Sequence, residues 1–157
     1  MGPGGAIALC NSADLADGGE AVPFDVAFGG QTCRAFAVRF EEWDVLAEWD
    51  DERQRLMLSV EIGTPPVDRV AEIYETLLSY NLLWRATGGV HMGLTGRKGP
   101  ALQMAELAGA EIAPRQIALV AANLADKAGI WRAYFESETP SGEAVPQPAA
   151  PDHVIRA

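Results

Sequence analysis

The sequence predicts an α+β fold: a twisted antiparallel sheet of about five strands with helices packed on it, in the order (α)βββαββα. Three observations predict it. Apolar residues recur at every second position in three successive segments, Thr32–Phe40, Trp43–Trp49 and Leu56–Ile62, the spacing of half-buried strands. The spacing changes to three-and-four over Val67–Trp84 and again over Ile117–Phe135, which is the period of a helix with one apolar stripe. Between those helices, glycine breaks at Gly88-Gly89 and Gly96–Gly99 bound two shorter strand-like pieces.

Each element follows from its residues in turn. Residues 1–23 are rich in Gly, Ala and Asp and are expected to be weakly ordered. A short helix over Ser12–Asp17 is possible there, with Ser12 as its cap and Gly18-Gly19 as its stop. The folded domain is expected over 24–136. Phe36, Val38 and Phe40 share one strand face. Trp43, Val45, Ala47 and Trp49 share another, and Leu56, Leu58, Val60 and Ile62 a third. The polar Asp50–Arg55 link makes the second and third strands an antiparallel hairpin, so the three form a meander.

Gly63-Thr64-Pro65-Pro66 ends the third strand and opens a helix to about Leu83, with Thr64 placed to cap it and proline suited to the first turn. Val67, Val70, Ile73 or Tyr74, Leu77, Leu78 and Asn81 lie along its stripe. Leu82, Leu83 and Trp84 widen the apolar arc at its end beyond what one core stripe needs, which points to a second buried contact such as a subunit interface. Val90–Thr95 and Ala101–Leu107 are the remaining strands, with Leu102 and Met104 expected to face inward. The last helix buries Ile117, Val120 or Ala121, Leu124, Ala128, Trp131 and Phe135. Gly129 inside it costs about 1 kcal/mol relative to Ala, so close packing is expected there. Residues 137–157 carry four prolines and almost no large apolar side chain before Val154, the composition of a disordered tail.

Composition narrows the function. Twelve Lys and Arg stand against 22 Asp and Glu, a net charge of −10, which disfavours nucleic acid and anionic membrane surfaces. No apolar run approaches the roughly 20 residues that span a bilayer, and the first residues lack the basic and apolar regions of a secretory signal. Cys10 and Cys33 read as reduced thiols of a cytoplasmic protein. The two His and two Cys show no zinc-ligand spacing, and no cofactor is implied. Glu41, Glu42, Asp44, Glu48, Asp50, Asp51 and Glu52 read as a solvated rim, with steering of a basic partner segment as the functional reading. The glycine pairs lack the Gly-Lys-Ser/Thr ending of a phosphate loop. A thiol hydrolase built from Cys33 and His91 is conceivable, but no cysteine motif supports it. An antiparallel sheet covered by helices on one side leaves its other face open; Trp43, Phe36 and Leu46 are candidates for that face. A binding protein therefore fits better than an enzyme.

Four local stretches resemble the class I type III secretion chaperones, the family of small acidic bacterial proteins that includes the Tir chaperone. Leu77-Leu78-Ser79-Tyr80-Asn81-Leu82 looks like the family's Leu-Leu-x-x-Asn-Leu helix end. Gly88-Gly89-Val90-His91-Met92-Gly93-Leu94 and Ala101-Leu102-Gln103-Met104 look like its fourth and fifth strands, and Ala128-Gly129-Ile130-Trp131 like its Ala-x-x-Trp. The resemblance covers residues 32–135. It implies a non-catalytic homodimer in the bacterial cytoplasm, with Leu78, Asn81, Leu82, Trp84, His91 and Met92 in or near the twofold interface. It also implies a client, the N-terminal region of a secreted effector, taken in extended form by strand edges and apolar patches. Those patches are placed at Phe36, Val38, Trp43, Leu46 and Trp49. One departure is the start, Met1-Gly2-Pro3-Gly4-Gly5, where family members have a clear amphipathic helix. The alternative is an α+β adaptor or regulator that binds a folded partner.

Overall fold

The computed structural model describes residues 20–28, 31–40, 42–50, 52–108 and 112–137, and over 20–34 it describes the backbone alone. The short N-terminal helix and the proline-rich tail beyond Ser137 lie outside the described residues. The elements are β1 (Glu20–Phe28), β2 (Gln31–Phe40), β3 (Trp43–Asp50), β4 (Arg55–Gly63), α1 (Val70–Asn81), β5 (His91–Leu94), β6 (Ala101–Ala108) and α2 (Pro114–Glu136). The strands make one antiparallel sheet in the order β1-β2-β3-β4-β6-β5. The α+β class and the meander are as the sequence predicts. The sheet has one strand more, because β1 pairs along its whole length with β2, from Glu20↔Arg39 to Phe28↔Gln31.

Alternation in the central strands builds a single apolar face. Phe36, Val38, Trp43, Val45, Ala47, Trp49, Leu56, Leu58, Val60 and Ile62 are all buried. The tip of the β3–β4 hairpin is closed by Asp50, whose carboxylate accepts the backbone N–H groups of Glu52 (3.1 Å) and Arg53 (3.0 Å). α2 lies against the face with Ile117, Ala121, Leu124, Ala128, Trp131 and Phe135 buried, the stripe the sequence predicts. Trp131 is fully buried and meets Tyr80 and Tyr134 edge-on, with ring centroids 5.2 and 6.0 Å away. Contacts of this kind contribute about 0.5–1.5 kcal/mol each beyond their burial.

Four expectations are corrected. β6 presents Ala101, Gln103 and Ala105 to the core, and Leu102 and Met104 to the other face. The register decides this: Gln103 sits opposite Val60 and Ala105 opposite Leu58, both core residues. α1 starts at Val70, not at the prolines, and Thr64 is exposed with no cap bond formed. Its buried stripe is Ile73, Leu77 and Tyr80, whereas Val67 and Leu78 are exposed. Gly129 is not crowded, since a Cβ there would lie 4.0 Å from the Trp43 ring.

The two helices are tied by a polar clamp at one end. Arg69, just before α1, donates from Nη1 to the carbonyls of Tyr134 (3.0 Å), Phe135 (3.4 Å) and Ser137. These are end carbonyls of α2, which lack partners inside that helix and favour a cation. The same guanidinium pairs with Glu72 (2.8 Å), which also accepts the Tyr134 hydroxyl (3.0 Å). The bond to Arg69 holds the Glu72 carboxyl below the ordinary glutamate range.

Two outcomes are expected. Gly129→Ala should stabilise the fold by about 0.5–1 kcal/mol, seen as a higher urea midpoint at unchanged slope. Glu72 has its acidity increased by folding, so its contribution is full above the unfolded glutamate pKa of about 4.3 and is lost as pH falls through the lower folded value. Urea titrations from pH 6 downward should show that loss, and Glu72→Gln should flatten it.

Candidate interaction surfaces

Two surfaces stand out among the described residues. The first lies at the end of α1. Leu78 and Leu82 are one helical turn apart on its outer side, 68% and 81% exposed, and Trp84 is 55% exposed. The chain reaches this surface because α1 unwinds into a series of turns, with Leu83 N–H donating to Tyr80 O and Gly89 N–H to Trp84 O. Gly88 and Gly89 both have positive φ (71° and 87°), a conformation glycine adopts without steric cost. The Arg85 guanidinium lies 5.2 Å from the centroid of the Trp84 ring. With Leu83, 45% exposed, these make four large apolar side chains left in water within seven residues, more than singly scattered surface apolar residues.

The second is the sheet face turned away from the helices. Register places Ala37, Leu46, Ser59, Met104 and His91 in one row across five strands. Leu46, Met57, Leu102 and Met104 are half-buried there. Charged groups surround them. Asp44 pairs with Arg39 (2.8 Å) and Glu106 with Arg55. Glu48 lies between Ala35 and Met57 in the ladder, and burial pushes its carboxyl above the ordinary glutamate range. Methionine and leucine on an open sheet can repack around different partner side chains, and the carboxylates favour a basic segment.

The residues singled out in the sequence separate as follows. Leu78, Leu82 and Trp84 come together on the first surface. Asn81 is half-buried and bonded to β5, and His91 is half-buried with Nδ1 3.0 Å from Gly89 O. Met92 is buried in the core and so is not an interface side chain. Phe36, Val38, Trp43 and Trp49 are likewise core residues, covered by the helix layer; they do not form a surface patch. The Trp43 ring is further covered by Arg132, 3.9 Å away. Leu46 alone of that group faces outward. Met57, Leu102 and Met104 were missed because alternation defines two faces without saying which one the helices cover.

Cys33 lies on β2 and His91 on β5, four strand steps apart in the sheet, roughly 19 Å at about 4.8 Å per step. The thiol–imidazole pair of a hydrolase is therefore not made. No group of three His, Cys, Asp or Glu side chains is placed to hold a metal among the described residues. A groove at the α1–α2 clamp is lined by Gly63, Thr64, Arg69, Arg132 and Ser137, and Arg69 is engaged there as described. No helix among the described residues is long and apolar enough to cross a membrane.

The profile of the Tir chaperone protein (CesT) family matches residues 34–132, from β2 to the last turns of α2. No curated protein sequence matches. Among solved structures, a chain of the ExsC–ExsE complex shares the fold with a TM-score of 0.53 and 23% identity, over 74% of this chain and 78% of that one.

Glu48 yields an expected outcome. Folding makes its carboxyl harder to ionise, so the ionised form costs stability at pH 7 and the cost disappears below the unfolded value of about 4.3. Glu48→Gln should raise the thermal midpoint at pH 7 and leave it unchanged at pH 3.5, by calorimetry at both values.

Proposed function

The chain belongs to the Tir chaperone protein (CesT) family, and from that premise we propose that it is a non-catalytic secretion chaperone. In this reading two copies pair through Leu78, Leu82 and Trp84, with Asn81 and His91 at the margin. The dimer binds the N-terminal region of a type III secreted effector, keeps it soluble and partly unfolded, and passes it to the secretion apparatus. It works in the bacterial cytoplasm and needs neither cofactor nor nucleic acid.

The observation that carries the reading is that the family match runs from β2 into α2 while the end of α1 leaves four large apolar side chains, Leu78, Leu82, Leu83 and Trp84, in water. A lone subunit exposes them, and an isologous contact with a second copy hides them. The client surface moves from the buried row at Phe36, Val38, Trp43 and Trp49 to the outward row that includes Leu46, Met57, Leu102 and Met104. Apolar contacts there replace those the client makes with itself. The solved ExsC–ExsE complex, whose chain shares this fold, is a pairing of two different proteins and supports a protein client here.

Two experiments test this. Leu82→Asp or Trp84→Asp is expected to halve the mass seen by light scattering, because a charge buried at the interface without a partner costs several kcal/mol. Unchanged mass in both variants removes the proposed pairing surface. Co-expression with effector candidates encoded nearby should give a co-purifying client that is protease-sensitive when free. A client that is compact and protease-resistant on its own would favour the adaptor reading, and the absence of any client together with a monomeric mass would end the chaperone reading.

A further inference from the structure

β5 is an edge strand of the sheet, and an edge strand presents unpaired N–H and C=O groups that can template another chain. Here that edge is occupied by a side chain. The Asn81 amide accepts the Met92 N–H at Oδ1 (2.7 Å) and donates from Nδ2 to the Met92 carbonyl (3.1 Å). In an antiparallel ladder a residue's N–H and C=O point to the same side and alternate along the strand. Thr95 N–H bonds inward to the Pro100 carbonyl (3.0 Å), so the backbone N–H and C=O of Met92 point to the open edge, along with those of Val90 and Leu94, while the Met92 side chain stays in the core. The Val90 carbonyl is also taken, by the Thr87 hydroxyl (3.0 Å). Leu94 is the one outward residue of the strand left without a partner among the described residues.

An asparagine amide offers one C=O and one N–H₂ from a planar group, like a single residue of a neighbouring strand. We propose that Asn81 is a strand surrogate that seals the β5 edge and so forbids a second chain from extending the sheet there. The Leu82–Trp84 surface follows it directly in the chain. An unsealed edge beside exposed apolar side chains favours open-ended strand addition. With the seal in place, copies meet only through side chains, and the contact closes on itself. This deepens the pairing surface proposed above and rests on it only for the identity of that closed contact.

The test is Asn81→Ala, read by amide hydrogen exchange and by light scattering across protein concentration. Exchange at Met92 should quicken about tenfold or more while His91 and Gly93, bonded to β6, keep their protection. The mass should rise with concentration beyond that of the wild type. Adding Leu94→Lys, a charge on the remaining free edge position, should return the mass to the wild-type value without restoring Met92 protection. Unchanged Met92 exchange would show that the amide does not seal the edge. Faster exchange with wild-type mass would show that sealing does not control association. An Asn81→Ala protein too unstable to study is replaced by Asn81→Asp. Its carboxylate still accepts the N–H but cannot donate, so the mass should again rise and Leu94→Lys should again reverse it; failure of either overturns the proposal. A monomeric wild type would refute the dimer and leave this test standing, since each variant is compared with the wild type.

Discussion

One greasy face, written into four neighbouring strands by strict alternation, is the constraint that organises this molecule. β2, β3, β4 and β6 all turn buried side chains to the same side. A face of that extent needs a cover, and α2 supplies most of it with one continuous stripe from Ile117 to Phe135. Small residues make the fit possible. Ala101 and Ala105 on β6 and Ala121, Ala125 and Ala128 on α2 are buried, so sheet and helix approach closely while Trp131 fills the centre. α1 then needs only a narrow stripe of its own, and its outer side, with Leu78, stays exposed.

Much of this could be read from the sequence where one principle acts alone. The β3–β4 hairpin followed from two alternating runs around a polar link, and the α2 stripe from helical spacing. Reading failed where a second element decides. Leu102 and Met104 look inward by composition, yet pairing with β4 turns Gln103 to the core instead. Leu78 looks like a core residue and Tyr80 does not, until the direction of α1 over the sheet selects Ile73, Leu77 and Tyr80. β1 had a usable signal that was overlooked: Gly29-Gly30 separates two runs that pair up to Phe28↔Gln31, the two-residue spacing of a tight hairpin. The bond from Asn81 to Met92 left no signal in spacing at all, because it depends on where a helix end meets a strand eleven residues later.

The acidic composition acquires local meaning in the same way. Several carboxylates are spent on structure: Asp50 closes a turn and pairs with Arg53 and Arg55, Glu72 joins the helix clamp, and Asp44 neutralises Arg39. Glu48 is different, since burial raises its pKa. Net charge keeps copies apart at long range, and the placement of each group decides which surface feels it.

The Arg69 clamp bears on how the chain is made. A ribosome releases α1 long before the carbonyls of Tyr134 and Ser137 exist, so its first turn stays unanchored until almost the whole described chain has emerged. The apolar side of the sheet is bare for that interval as well. Completion is therefore late and abrupt, and a nascent copy passes through a sticky stage of its own before it can shield anything else.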